Sequence, residues 1–218
     1  MRSGADVELV DAEVHPSAWL EGPLQAGPGL FVAAHAVLGG PPQHRAGGPG
    51  ALVFGQNCVV REGATVHRGS AAGSGVTRVG DRLFLMAHGH IGHDAELGDD
   101  ITIANGAMLG GHVRVADRVV VGARAAVHQY VTVGRGAMVA AGAMVSGDVP
   151  PWSLVSGDRA RVVGVNRVGL QAAGLGDQID AVRRVLRGGT ADASLEAVRD
   201  VTAFLASERR RPLCGRRR

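Results

Sequence analysis

The chain has 218 residues, 34 of them glycine, with 3% aromatic, 20% charged and 45% apolar residues and a formal net charge of +3. These proportions belong to a folded globular protein and exclude a disordered or low-complexity chain. Cys58 and Cys214 form no CxxC pair, which excludes a disulfide framework and points to a reducing compartment.

At the N-terminus, residues 1–16 carry acids and no apolar run, so no secretory signal is expected. No stretch of eighteen apolar residues follows, so no membrane span is expected either, and the expected location is cytoplasmic. Val14, Leu20, Ala26, Val32 and Leu38 then stand six residues apart. Segment 39–50, GGPPQHRAGGPG, interrupts them; its prolines and glycines cannot continue a ladder, so it is expected to be ejected as a loop. Phe54, Val60 and Val66 resume the spacing. Val79 follows Val66 by thirteen residues where two hexads need twelve, and one extra residue is expected in a Gly/Ser bulge around Ser70–Thr77.

From Val79 the register runs unbroken through Leu85, Ile91, Leu97, Ile103, Leu109, Val115, Val121, Val127, Val133 and Val139 to Val145. A period of six fits neither a lone strand nor a helix and signals a hexapeptide solenoid. Three hexads make a triangular coil of eighteen residues, with the aliphatic residue inward and the small residue after it in the tight corner. The expected fold is an all-β solenoid, a left-handed parallel β-helix that escapes the right-handed crossover rule, with a short C-terminal helical appendage. Coils lie about 4.8 Å apart, so residues eighteen apart are stacked neighbours.

Asp148-Val149-Pro150-Pro151-Trp152 should end the ladder, because two prolines stop strand pairing. Beyond Gly174, Ile179, Val182, Val185 and Leu186 form one amphipathic face and Leu195, Val198, Val201 and Leu205 a second, separated by GGT at 188–190. Two units follow: 1–165, the β-helix with its ejected loop, and 166–218, the helical segment with an arginine-rich tail. Two helices this short should pack on the solenoid or on a neighbouring subunit. The clusters Arg209–Arg211 and Arg216–Arg218 read as a solvated charge run. Open solenoid ends and flat apolar faces need covering, so a homo-oligomer is expected, a trimer in the first instance. No nucleic-acid partner is expected.

The histidines carry the chemistry. His88, His90 and His93 crowd one hexad and a half, followed by His112 and His128. The stacking rule sets Gly111 above His93, with His112 beside it, and His128 above Gly110. Three imidazoles and a bare glycine backbone, open to close approach by a substrate, should converge on one flank. Imidazoles also suit zinc. The five-residue step from His88 to His93 is used by zinc lyases of this architecture, which resemble β-helical carbonic anhydrases; no third ligand stands at the right face, so the expected metal is none. No serine or cysteine lies at a nucleophile's spacing, which points to direct transfer rather than a covalent intermediate.

The elements HIGHD (90–94), GGH (110–112), VHQ (127–129), DVPPW (148–152) and GVN (164–166), with VHPSA (14–18) and ATVHRGS (64–70), make residues 14–174 resemble the acyl-[acyl carrier protein]–UDP-N-acetylglucosamine O-acyltransferase family. The resemblance implies a cofactor-free transfer of a (3-hydroxy)acyl chain from acyl carrier protein to the 3-hydroxyl of UDP-N-acetylglucosamine, the first acylation of lipid A synthesis. It implies His93 as general base, Asp94 as its orienting group and the Gly111 N–H as oxyanion donor. His90 would lie near the pocket; His112, His128, Gln129 and Asn166 would contact the nucleotide sugar or the acyl donor, and Ala141 would limit acyl length. Consecutive strand residues point to opposite faces, so the His93–Asp94 pairing needs a corner or a neighbouring chain. The chain also departs from the family: its N-terminal coils are about thirty residues shorter, His44 and Arg45 replace loop contacts, and Ala172 and Ala173 replace paired arginines. These departures leave open a different sugar nucleotide as acceptor, or a silent member that only binds.

Overall fold

The computed structural model describes residues 2–3, 6–44, 47–208 and 211–215. Its strands fall into three sheets of eight, seven and nine strands, parallel except for a terminal hairpin on the third, and along the coils successive members of each sheet are three strands apart in the chain. The backbone therefore visits the first, second and third sheets in turn, which is a parallel β-helix. Register confirms the period: His90 pairs with Met108, Glu96 with Arg114 and Thr102 with Val120, each eighteen residues on. The inward aliphatic residues form one continuous core, with Leu85, Ile91, Ile103, Leu109, Val121 and Val133 fully buried. Burying each contributes about 1.5–3 kcal/mol.

The corners do not fall where the hexad pattern put them. The small residue after each aliphatic one ends the strand, and the turn is made by the next two. Asp94, Asp100, His112, Arg118, Arg124 and Tyr130 all hold positive φ there, between 56° and 65°. Small residues are needed at the earlier position because the neighbouring coil's backbone fills the space: a Cβ on Gly92 would lie 2.7 Å from Gly111 N.

The bulge near Ser70 is also larger than the one residue expected. Thr65 pairs with His90, twenty-five residues on, so seven residues beyond a regular coil are inserted between Val66 and Val79. That insertion and the ejected segment after Gly40 both leave the helix at the same corner, between the first and second sheets.

Beyond the last coil, Ser153–Ser156 and Arg161–Val165 form an antiparallel hairpin on the third sheet. Three helices follow: α1 (Arg167–Ala172), α2 (Ile179–Leu186) and α3 (Glu196–Ala206). The hexad and amphipathic patterns did not reveal α1. The other two bury Val182, Val185, Leu186, Val198 and Val201 against Trp152, as a helical pair packed on the β-helix must. Trp152 donates Nε1–H to Asp200 at 2.8 Å, and Arg135 reaches Glu196 at 2.6 Å. The open end is covered by the chain itself: Asp148 N–H donates to Pro212 O, Cys214 N–H to Asp148 O, and Val162 N–H to Gly215 O. No helix among the described residues is long and apolar enough to cross a membrane.

The outer faces differ. On the second sheet the outward column reads Glu8, Gln25, Val53, Arg78, Glu96 and Arg114. On the first it includes Trp19, Val37, Met108 and Met144, and on the third Phe31, Val59, Phe84, Val120 and Met138.

Candidate active site

The first corner, between the first and second sheets, gathers the histidines. His93 occupies the turn and Asp94 the positive-φ position after it (φ 58°), which brings the two side chains to the same side. His93 Nδ1 lies 2.7 Å from Asp94 Oδ2. The corner removes the strand-alternation objection within a single chain. The Asp94 carboxylate is fully buried and caged by the seven-residue insertion: Ser70 N–H and Oγ–H donate at 3.0 and 2.6 Å, Gly75 N–H at 3.1 Å and Ser74 Oγ–H at 3.2 Å. Asp94 N–H in turn donates to Thr77 Oγ1 at 2.8 Å. Burial pushes this carboxyl up, but the hydrogen bonds from Ser70, His93 and Ser74 prevail and hold it down to about 2.

An ionised carboxylate only accepts hydrogen bonds, so His93 Nδ1 carries a proton, and in the neutral ring the lone pair is the one on Nε2. That lone pair faces Gly111. A Cβ at Gly111 would stand 2.8 Å from His93 Nε2, so only glycine leaves the ring this position. Gly111 O accepts from Tyr130 N–H, whereas the Gly111 N–H has no acceptor among the described residues. An imidazole nitrogen and an unused backbone donor thus stand side by side, groups whose chemistry suits proton abstraction and oxyanion binding.

The ring of His112 meets that of His93 edge-on, centroids 5.0 Å apart, and stacks on Tyr130 at 4.5 Å. His44, from the ejected loop, brings its ring centroid to 6.2 Å from that of His93; Arg45 lies outside the described residues. His90 sits on the adjacent strand with Nδ1 2.7 Å from Thr65 Oγ1 and its ring 5.3 Å from His67. Burial, then repulsion from His67 and His93, pulls its pKa down to about 4. His128 and Gln129 stand exposed two coils above His93.

Two expected site residues, Asn166 and Ala141, fall at other corners. Asn166 caps α1, its Oδ1 accepting from Gly169 N–H at 3.0 Å and its Nδ2 donating to Gly136 O at 2.8 Å. It lines a groove of about 650 Å³ with Asp100, Arg118, Met138, Ala172 and Ala173, at the second corner. Ala141 is exposed at the third corner, beside Gly142 (φ 69°). His88 is also there, against Gly63, so the His88–His93 pair of a zinc lyase is not assembled. Atoms of His93, Asp94 and His112 do come within 4.8 Å of one another. The Asp94 oxygens already accept from Ser70, Ser74, Gly75 and His93, which leaves that set poorly suited to a metal.

Sequence reasoning missed Ser70, Ser74, Thr77 and Tyr130. Only the break in period at 66–79 hinted at the first three.

A β-helix with a buried His–Asp pair beside a bare glycine belongs among the hexapeptide acyltransferases, and the solved structures agree. The UDP-N-acetylglucosamine acyltransferase of Bacteroides fragilis superposes with a TM-score of 0.82 at 26% identity, over 97% of this chain and 88% of that one. A family model described as UDP-N-acetylglucosamine O-acyltransferase, domain 2, matches residues 148–214. An acyl-[acyl-carrier-protein]–UDP-N-acetylglucosamine O-acyltransferase from Caulobacter vibrioides is 40% identical over 213 residues, covering 89% of this chain and 81% of the relative. The chain belongs to the acyl-[acyl-carrier-protein]–UDP-N-acetylglucosamine O-acyltransferase family. It is 42% identical to the Anaeromyxobacter member over 161 residues, 73% of this chain, and spans 63% of that relative's length.

Proposed function

We propose that the protein transfers a (3-hydroxy)acyl chain from acyl carrier protein to the 3-hydroxyl of UDP-N-acetylglucosamine, directly and without a cofactor. The observation that carries this reading is the His93 lone pair facing Gly111 across a gap that a single Cβ would close. His93 Nε2 takes the hydroxyl proton as the sugar oxygen attacks the thioester carbonyl. The proton stays on the imidazole, opposite the Asp94 carboxylate that steadies the resulting cation. The Gly111 N–H stabilises the tetrahedral oxyanion, an effect of about 3–4 kcal/mol in comparable sites. Collapse breaks the C–S bond, and the thiolate recovers the proton held on His93.

The roles of His90, His112, His128 and Gln129 in holding the substrates rest on their common flank; those of Asn166 and Ala141 rest on the family resemblance. In one chain the Asn166 groove and His93 occupy different corners, so a site using both needs a second copy. The apolar first and third outer faces, with Trp19, Met108 and Met144 between 43% and 51% exposed, supply the surface for it. We infer a left-handed winding, a homotrimer, and a division into a β-helical acyltransferase unit at 1–165 and a helical unit at 166–218. The charged second sheet would face solvent, consistent with a cytoplasmic enzyme.

The test is an assay of the purified protein with 3-hydroxyacyl carrier protein and UDP-N-acetylglucosamine, with His93→Ala alongside. Product should form, and the variant should lose about 10²–10⁴-fold in rate while keeping its melting temperature. Undiminished turnover in the variant would overturn the mechanism. No product from any acyl donor with this acceptor would overturn the substrate assignment.

A further inference from the structure

The C-terminal segment has a place in the fold that a solvated tail would not have. Residues 212–215 lie over Gly147 and Asp148, and Leu213 forms a parallel bridge with Asp148. Gly147 and Asp148 are the next members of the column that runs upward from His93 and Asp94 through Gly111 and His112, then Gln129 and Tyr130. The tail therefore caps the candidate active-site corner and not another one. Arg211 enters this cap with its backbone N–H 3.3 Å from Asp148 Oδ2, a buried carboxylate that also accepts from Thr132 N–H at 2.7 Å.

With its backbone fixed, the Arg211 side chain turns down the corner. Its Nη2 lies 3.1 Å from His128 Nδ1. A guanidinium has no acceptor, so Nδ1 must be the acceptor in this contact. His128 then carries its proton on Nε2. The alternative, a bond from Nδ1 to Gln129 O at 3.2 Å, cannot form at the same time. No carboxylate pairs with the Arg211 side chain among the described residues. Most of its five donors are therefore unspent, on the same flank as His93 and about two coil spacings, roughly 10 Å, above it.

We propose that Arg211 is a phosphate-binding residue of the His93 site, with the Nε2–H of His128 as a second donor to the same anion. This rests on the acyltransferase reading above. Both substrates of that reaction carry phosphate at a distance from the reacting atoms: the nucleotide sugar in its diphosphate, the carrier in the phosphodiester of its prosthetic arm. A bidentate guanidinium fits either. The groove after GVN, where Ala172 and Ala173 stand, presents Arg118; it lies at another corner of the same chain, so the cation brought by the tail adds its charge at the His93 corner itself. Arg209, Arg210 and Arg216–Arg218 lie outside the described residues.

The experiment compares the full-length protein with Arg211→Ala and Arg211→Lys. UDP and coenzyme A, which carries the phosphopantetheine arm, are titrated separately by calorimetry, and KM is measured for each substrate. Arg211→Ala should weaken one ligand at least tenfold and raise the matching KM more than it lowers kcat, with lysine restoring part of the loss. Weakened UDP identifies the nucleotide's phosphate; weakened coenzyme A identifies the carrier's. Affinities within twofold of wild type for both ligands would overturn the proposal while leaving the acyltransferase reading intact. So would a loss that lysine does not relieve and that comes with a lower melting temperature, since Arg211 would then merely hold the cap. Wild-type protein that binds neither ligand would overturn both.

Discussion

Two corners of the same coil use one backbone design for opposite ends. At the second corner, the turn residues Asp81, Asp99 and Asp117 form a ladder in which each carboxylate caps the N–H of the turn below. Asp81 Oδ1 takes Gln56 N–H at 2.9 Å, Asp99 Oδ1 takes Asp81 N–H at 2.8 Å, and Asp117 Oδ1 takes Asp99 N–H at 3.0 Å. At the first corner the equivalent residues are His93, Gly111 and Gln129, and the ladder is missing. The turn N–H that elsewhere holds a carboxylate oxygen is left open at Gly111, beside an imidazole. The second corner shows that this slot receives a negatively charged oxygen; the first leaves it open. The positive-φ aspartates tell the same story. Asp100, 42% exposed, pairs with Arg82 in solvent, whereas Asp94, at the same φ, is buried under the insertion between Val66 and Val79 and hydrogen-bonded to His93.

The sharpest way to break this contrast is to build the ladder where it is missing. Gln129→Asp should set a carboxylate on the Gly111 N–H, raising the melting temperature and lowering kcat about 10²–10³-fold, the cost of losing one oxyanion donor. Unchanged turnover would mean that the slot plays no part in catalysis. Ser70→Ala removes one of five donors to Asp94 and should lower kcat about tenfold, roughly the effect of one charge-assisted hydrogen bond; a loss confined to KM would show that the cage serves binding instead.

His90 offers a pH-dependent test. Its folded pKa of about 4 lies below the ordinary 6.5, so the unfolded chain takes up the proton first as pH falls. The stability His90 contributes is whole above pH 6.5 and lost on the way down to 4. His90→Asn should flatten that stretch of a melting-temperature profile, and an unaltered profile would contradict the burial argument. Asp99→Ala, at the opposite corner, should lower the melting temperature slightly and leave turnover alone.

Much of the fold was legible because a period of six has one structural solution, and the eighteen-residue stacking of His93 beneath Gly111 followed from counting. What escaped the sequence lies where the period fails. Val66 to Val79 comes close to two hexads, so the insertion read as a single-residue slip, although Ala72 and Gly73 offer no inward aliphatic residue to support an extra strand. Strand alternation argued against His93–Asp94, because the rule holds in strands and lapses at a φ of 58°. Both irregular segments emerge at the corner they serve, His44 from one and the Asp94 cage from the other, and only coordinates reveal that convergence. Arg211 reaches His128 across eighty-three residues, which no local pattern encodes.

The covering of the last coil has a consequence for solution behaviour. A parallel rung with bare amides and carbonyls would template the first rung of another molecule, and such stacking could propagate into a fibre. The segment 212–215 consumes hydrogen-bonding groups of that rung at Gly147 and Asp148, and the antiparallel hairpin turns the third sheet away from continuation. A protein clipped before residue 211 should therefore elongate into filaments at concentrations where the intact chain stays dispersed.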